Sequence, residues 1–434
     1  MHGYYLSETD RINDFLRQNA PLTLREAAEM EIMDFYTSKK RMNMLLGERY
    51  YMGDHDILKR RRTAIGQGGK VVELDNLPNN RIVNNVYKML VDQKVNYLLG
   101  KPVVLNCANE QKLSRLKQGF NRNFLRLLRR TAEDSLNCGI GWLYGGCDKY
   151  GQPTFKRFRP WEVVPVWSDS EHTALDYAIR LYSVVKTEGK RQVREKRVEL
   201  FTTEGVKRYK VQGGILKEES RLMPYAAGMK KGRIPLEPFR YNSKEIPLIK
   251  NVKTLQDGLN SLISDFQNCM EEDVRNTILV IKNYDGEDLG QFRKNLSAYG
   301  AVKVKTVDGS QGGVETLNIE VNGENYKAII DMFKKAIIEN GRGYDAKNDK
   351  LSGTPNQLNI MSMYNDIDID ANGMETEFSA ALENLFSLWE DCSDVEFVFN
   401  RSMIMNEGEV IDNIIKSRGF VDDKLLMAKH PYIN

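Results

Sequence analysis

Two long stretches of helical period, separated by a short strand-like segment, constrain this chain more than any other feature. After the turn-like Tyr241–Pro247, the residues Val252, Leu255, Leu259, Leu262, Ile263, Phe266 and Met270 recur at spacings of three and four. Tyr326, Ile329, Ile330, Phe333, Ile337 and Ile338 repeat the pattern toward Asn340. At about 1.5 Å per residue the first stretch predicts a rod of roughly 37 Å. The segment between the rods, fewer than about fifty residues, predicts a small α/β module, with a strand over Thr277–Ile281, a short helix over Asp288–Ser297 and a second strand over Ala301–Lys305. Two amphipathic rods flanking such a module are suited to packing side by side around an axis, with their stripes buried against neighbours and their polar faces left to a water-filled bore.

The flanking sequence predicts an α+β chain. Thr23–Leu46 reads as one helix, and Gly53–Asp56 breaks it before the basic run Lys59–Arg62, which is a solvated face, an inter-subunit charge pair or a nucleic-acid contact. Ile82, Val86, Leu90, Val91, Val95 and Leu98 mark a second helix, stopped at Gly100–Pro102 by a left-handed glycine cap and a proline. Lys112–Asn137 reads as a third. From Gly139 to Val211 short aromatic and β-branched runs predict strands at Gly141–Tyr144, Thr154–Phe158, Val163–Trp167, Tyr177–Tyr182, Arg197–Phe201 and Val206–Tyr209. Asp148–Pro153 is a hairpin turn, and the basic run Lys186–Arg197 is the exposed end of another hairpin rather than a DNA site. Gly341–Arg342–Gly343 ends the second rod, and the polar stretch to Pro355 has little to bury. Gln357–Asp391 is helical with a kink near Asp370–Gly373, followed by a strand at Val395–Phe399 and a helix at Glu407–Lys416.

Charge and composition narrow the chemistry. The 434 residues carry 63 Lys+Arg against 60 Asp+Glu, a formal charge of only +3, so contact with DNA is expected to be light or local. The 41% hydrophobic content is enough for a sizeable core. Cysteines 107, 138, 147, 269 and 392 form no CxxC pair, and none of His2, His55, His172 and His430 lies in HExxH, so no zinc or other cofactor is expected. The glycines at 66–69 and 139–146 lack the Lys-Ser/Thr of a phosphate loop and read as turns. The acids Glu271–Asp273 and Asp366, Asp368 and Asp370 read as solvated faces rather than metal ligands. No run of about eighteen apolar residues occurs, and Met1–Asp10 has no secretory pattern, so no membrane partner is expected.

Several words of the sequence, in order, resemble the portal proteins of tailed bacteriophages, specifically those of siphophages with Gram-positive hosts. They are Tyr50–Ile57, Asn79–Asn85, Val91–Pro102, Ile246–Ile249, Leu255–Asn260, Ser264–Asp265, Ser417–Val421 and Leu425–Tyr432. None is a catalytic signature. The resemblance implies no enzyme activity but a homo-oligomeric ring, usually of about twelve subunits, at one capsid vertex of the virion. Viral double-stranded DNA would pass through its channel, and assembly would take place in the host bacterial cytoplasm. The multi-domain fold it implies has a wing over 1–245, a first stem helix over 246–274, a clip over 275–322 and a second stem helix over 323–340. A channel loop over 341–356, a kinked helix and returning wing strand over 357–400, and the start of a crown over 401–434 complete it. The family typically continues with a further acidic helical segment, so any crown on this chain is expected to be short or absent.

On this resemblance Arg342, Lys347 and Lys350 are the candidates for brief phosphate contact in the channel. Tyr284, Asp285, Gln291 and Arg293 lie in the clip, where the family meets the packaging terminase and later the head-completion adaptor; major capsid and scaffolding proteins are further implied partners. Two rivals remain at this level. A nuclease or nucleotidyl transferase would need a convergent carboxylate pair with metal, or a phosphate loop. A monomeric adaptor or scaffold would not assemble into a ring.

Overall fold

The computed structural model describes residues 23–65, 69–73, 77–189, 191–273, 278–282, 313–317, 323–345, 357–401, 407–422 and 426–427. Short polar side chains set its helix starts. Thr23 closes a capping box with Glu26 and opens helix α1 (Leu24–Thr37). Ser38 is extended and turns its hydroxyl to the Arg41 N–H, opening α2 (Lys39–Tyr51). The helix expected over Thr23–Leu46 is therefore two, because a serine able to cap a new helix competes with continuation of the old one. A short hairpin, β1 (Thr63–Ile65) and β2 (Val71–Glu73), follows.

Asn85 caps α3 (Val86–Leu99) through the Lys88 N–H. Gly100 stays right-handed at φ −70°, so the expected left-handed cap does not form and the stop falls to Pro102. After β3 (Val104–Asn106), the single helix expected over Lys112–Asn137 is also two, α4 (Glu110–Gly119) and α5 (Arg122–Cys138). The Asn121 side chain accepts from the N–H groups of Asn123 and Phe124, which ends one helix and starts the other. That break brings Phe120 and Phe124 into one aromatic cluster with Phe155 and Phe386.

Gly139 ends α5 in the left-handed region at φ +84°, and a Cβ there would sit 2.0 Å from the Glu245 carbonyl oxygen. Only glycine permits both the turn and this approach. The strands that follow are β4 (Ile140–Cys147), β5 (Pro153–Phe158), β6 (Val163–Trp167), β7 (Leu175–Glu188), β8 (Arg191–Phe201), β9 (Val206–Gln212), β10 (Ile215–Glu218) and β11 (Leu236–Arg240). They form two antiparallel sheets, in the orders β11-β4-β5 and β10-β9-β8-β7-β6. Trp142 and Phe158 of the first meet Val166, Trp167, Ile179 and Phe201 of the second in one core, closed by Ala28, Phe35 and Met44 from α1 and α2. Asp148 accepts from the Tyr150 and Gln152 N–H groups, making the expected hairpin turn.

The remaining elements are α6 (Ile249–Asp273), β12 (Ile278–Lys282) paired with β13 (Gly313–Leu317), α7 (Gly323–Asn340), α8 (Gln357–Phe386), β14 (Glu396–Val398) paired with β3, and α9 (Glu407–Lys416). The helical periods read from Val252 and Tyr326 are thus helices. The segments read as Asp288–Ser297 and Ala301–Lys305 lie outside the described residues. Helix α8 runs unbroken through Asp370–Gly373.

The chain divides into two compact units, one of Met1–Asp54, Asn85–Lys253 and Lys335–Asn434, the other of His55–Asn84 and Thr254–Lys334. The second unit holds a buried polar ladder. Gln256, Asn260, Ser264 and Asn268, at i, i+4 spacing, are all buried. Ser264 and Asn260 accept from the Ile82 and Asn84 N–H groups at 2.9 and 3.0 Å, Asn268 from Asn80, and Gln256 donates to the Asn84 carbonyl at 2.7 Å. An extended segment with no sheet partner is thereby satisfied by one helix face. In the same unit Arg60 pairs with Asp265 and Arg61 with Glu73. These ion pairs of the Lys59–Arg62 run are made within the chain.

Candidate functional site at the root of the 341–345 segment

The segment expected to have little to bury begins from a tightly held root. Helix α7 ends where the Gly341 and Gly343 N–H groups bond back to the Ile337 and Ile338 carbonyls. Cβ atoms at these two glycines would approach Leu90 of α3 to 2.5 and 2.4 Å, so their bareness lets the backbone lie on that helix. Between them Arg342 takes φ +49°, a conformation that costs a non-glycine residue about 1–2 kcal/mol.

Two side-chain contacts reach the strained residue, and others fix its neighbours. Lys94 of α3 donates from Nζ to the Arg342 carbonyl at 3.0 Å and to Asp370 Oδ2 at 2.6 Å. The Arg342 guanidinium lies 3.7 Å from Asp370 Oδ1, and the Tyr241 hydroxyl donates to Asp370 Oδ2 at 2.6 Å. Gln93 grips Tyr344, two residues on, with both ends of its amide, donating to the Tyr344 carbonyl at 2.7 Å and accepting from its N–H at 3.0 Å. The Tyr344 ring packs on Tyr364, which stacks on Tyr97. Tyr97 in turn donates to Asp368, which also pairs with Arg401.

The electrostatics follow from burial. Lys94 is 4% exposed; desolvation pulls its ammonium below the usual lysine range, while Asp370 works in the opposite direction. Burial and the hydrogen bond to Asp368 push the Tyr97 phenol up to about 12. The reading of Asp366, Asp368 and Asp370 as a solvated face fails for Asp370, which is 15% exposed and meets Lys94, Arg342 and Tyr241, whereas Asp368, 40% exposed, stays in contact with water while meeting Tyr97 and Arg401. The alternation of acids with Ile367 and Ile369 resembled a surface, and their cations lie far away in sequence. One signal was available. Lys94 occupies the apolar phase set by Leu90, Val91, Val95 and Leu98, where a lysine is buried only with a partner.

Of the residues singled out from sequence, Arg342 sits in this cluster with its side chain 57% exposed. Lys347 and Lys350 lie outside the described residues, as do Tyr284, Asp285, Gln291 and Arg293. Among the described residues no group of three or more His, Cys, Asp or Glu side chains could hold a metal ion, and no helix is long and apolar enough to cross a membrane.

A second charged hub lies in the same unit. Glu245, at φ +53°, receives Lys40, His172 and Arg240 on its carboxylate. Burial would raise its pKa, yet hydrogen bonds from His172 and Lys40 and the Lys40 charge hold the carboxyl well below the usual range. The hub secures the turn that leads through Pro247 into α6, where the Leu248 N–H bonds to the Leu136 carbonyl.

Fold and cluster together define an α+β protein in which buried charge is used to position chain segments, above all the root that follows α7. The chain belongs to the phage portal protein family of the SPP1 Gp6-like type, whose model matches residues 37–434. It is 25% identical to the portal protein of Bacillus phage SPP1, over 98% of this chain and 88% of that one. It is 26% identical to the portal protein of Clostridium phage phiCD119, over 91% and 90%. Among solved structures, a chain from the virion of a native gene transfer agent particle aligns over 79% of this chain and 89% of its own, with a TM-score of 0.43 and 15% identity. A chain from the neck of a native gene transfer agent particle, computed with C12 symmetry, aligns over 80% and 89%, with a TM-score of 0.41 and 14% identity.

Proposed function

We propose that copies of this chain close into a ring, usually of about twelve, at one capsid vertex of the virion, and that double-stranded viral DNA passes through its centre in packaging and ejection. The ring would assemble in the host cytoplasm with capsid and scaffolding proteins. On this reading 1–245 is the wing, 246–274 and 323–340 are the stem helices, and 275–322 is the clip, which docks terminase and then the adaptor. The 341–356 segment is the channel loop, 357–400 returns to the wing, and 401–434 begins the crown. The protein hydrolyses nothing itself; a separate ATPase drives the DNA.

One observation carries this reading. Along α6 Val252 and Leu259 are buried together with the polar ladder, whereas Leu255, Leu262, Ile263 and Phe266 are only half-buried and Met270 is 46% exposed. On α7 Ile329 and Met332 are 39% and 60% exposed. Each such side chain moved from water into a neighbour's surface contributes up to about 1.5–3 kcal/mol, and a closed ring of identical rods supplies that neighbour in every subunit.

Negatively stained purified protein is expected to show annular particles with a central hole, and twelve copies of a 49.9 kDa chain would sediment near about 600 kDa. Compact monomers at high concentration would end the proposal. Within the ring, Arg342, Lys347 and Lys350 are the proposed phosphate contacts, with Arg342 at the root that Lys94 and Gln93 hold. Replacing all three with Ser should leave rings intact and change DNA packaging or retention; unchanged packaging would remove them from the contact.

A further inference from the structure

The longest hairpin, β7–β8, outruns its sheet. Strand β6 pairs with β7 only as far as Arg180, and β9 with β8 only as far as Arg197, so Leu181–Glu188 and Arg191–Lys196 continue as a two-stranded ribbon. About six residues of each strand at about 3.4 Å per residue make an overhang of roughly 20 Å. Its sequence from 181 to 197 carries Lys186, Lys190, Arg191, Arg194, Lys196 and Arg197 against Glu188 and Glu195. That net +4 exceeds the +3 of the whole chain.

The register sorts these charges by face. Lys186, Glu188, Arg191, Glu195 and Arg197 share one face, where Glu195 pairs with both Lys186 and Arg197 at 2.8 Å and Glu188 stands opposite Arg191. The other face presents Ser183, Val185, Thr187, Gln192, Arg194 and Lys196, all exposed, with no acid among them. At the base of that face Lys196 reaches over the Tyr36 ring of α1. The cross-strand pairs there are Ser183 with Lys196, Val185 with Arg194, and Thr187 with Gln192. Alternation in β strands places neighbours on opposite sides, so this separation follows from the sequence only once the pairing is known.

We infer that the acid-free face of the β7–β8 ribbon, whose basic run reads from sequence as an exposed hairpin end rather than a DNA site, is a contact surface for duplex DNA outside the 341–356 segment, because strand pairing separates Arg194 and Lys196 from the acids. A two-stranded ribbon fits the major groove, cations meet phosphates, and hydroxyl and amide side chains add hydrogen bonds to the sugar-phosphate backbone. A near-neutral protein with one local cationic face can touch DNA without immobilising it. The portal reading supplies the source of the DNA; the binding itself does not depend on the channel.

The test measures binding of the full chain to a short labelled duplex by fluorescence anisotropy across a salt series. Arg194→Ser with Lys196→Ser is expected to weaken binding on the order of tenfold and to lower the slope of log K against log salt by about 2, one for each phosphate that no longer meets a cation. The control, Arg122→Ser with Arg126→Ser, removes the same charge from exposed positions on α5 and is expected to leave the slope unchanged. Equal losses in both variants, or none in the ribbon variant, overturn the proposal. So does a ribbon variant that loses binding to polyglutamate but keeps the duplex, which would make the surface a dock for acidic polypeptide. Particle images of the same variants separate the two readings: intact rings with unaltered duplex binding sink only the ribbon contact, whereas absent rings in the unmodified protein sink the portal reading.

Discussion

Replacing Lys94 with Met is expected to lower unfolding free energy by about 3–5 kcal/mol, the usual cost of removing one partner from a buried ion pair. The ammonium lies between the Arg342 carbonyl and Asp370, in a helix face otherwise filled by Leu90, Val91, Val95 and Leu98. Without it, Asp370 keeps only the Tyr241 hydroxyl and the more distant Arg342 guanidinium among these contacts, and the strained Arg342 backbone loses its clamp. Replacing both partners, Lys94→Met with Asp370→Leu, should recover much of the loss, because the buried charges leave together. Urea unfolding of the two singles and the double measures this coupling. Limited proteolysis adds a local readout, since cleavage within Gly341–Asp345 should accelerate in the single variant before global unfolding does. A single variant within about 1 kcal/mol of the parent would mean that the contact behaves like a surface ion pair and does not anchor the root.

The Glu245 hub should show the next largest effect, with a distinctive dependence on pH. Glu245→Gln is expected to cost about 2–4 kcal/mol at neutral pH, because a buried carboxylate held by Lys40, His172 and Arg240 becomes a neutral amide among cations. The folded carboxyl sits below its ordinary value of 4.5, so its stabilisation is complete above that value and disappears as pH falls through it toward the folded value. The gap between parent and variant should therefore be full at neutral pH and close progressively in acid. A gap that stays constant through the acid range would assign the loss to packing of the turn rather than to charge. Because the hub secures the entry to α6, the neutral-pH variant should also form fewer rings at a given protein concentration.

The two rods show where local reading succeeds. Their periods survive translation into structure because amphipathic spacing is a property of neighbouring residues, and α6 and α7 fall where Val252–Met270 and Tyr326–Ile338 indicate. Breaks were harder to read. Ser38 and Asn121 end helices by offering their side chains to N–H groups two or three residues ahead, a competition that composition alone leaves undecided. The same limit applies to α6, whose apolar stripe was legible while the interleaved Gln256, Asn260, Ser264 and Asn268 were not. Their partners at Asn80–Asn84 lie more than a hundred residues upstream.

What the chain's order of residues determined unaided was the alternation of rods, strands and turns, the modest net charge and the portal family. Tertiary structure alone decided which charges work in water and which in the interior. Lys94, Asp370 and Glu245 look like ordinary surface residues until distant segments remove their water, and the ribbon's cations look interspersed with its two acids until strand pairing sorts them by face. The physical reason is the same in each case: the energy of a charge depends on what surrounds it, and those surroundings are assembled from parts of the chain that local sequence does not bring together.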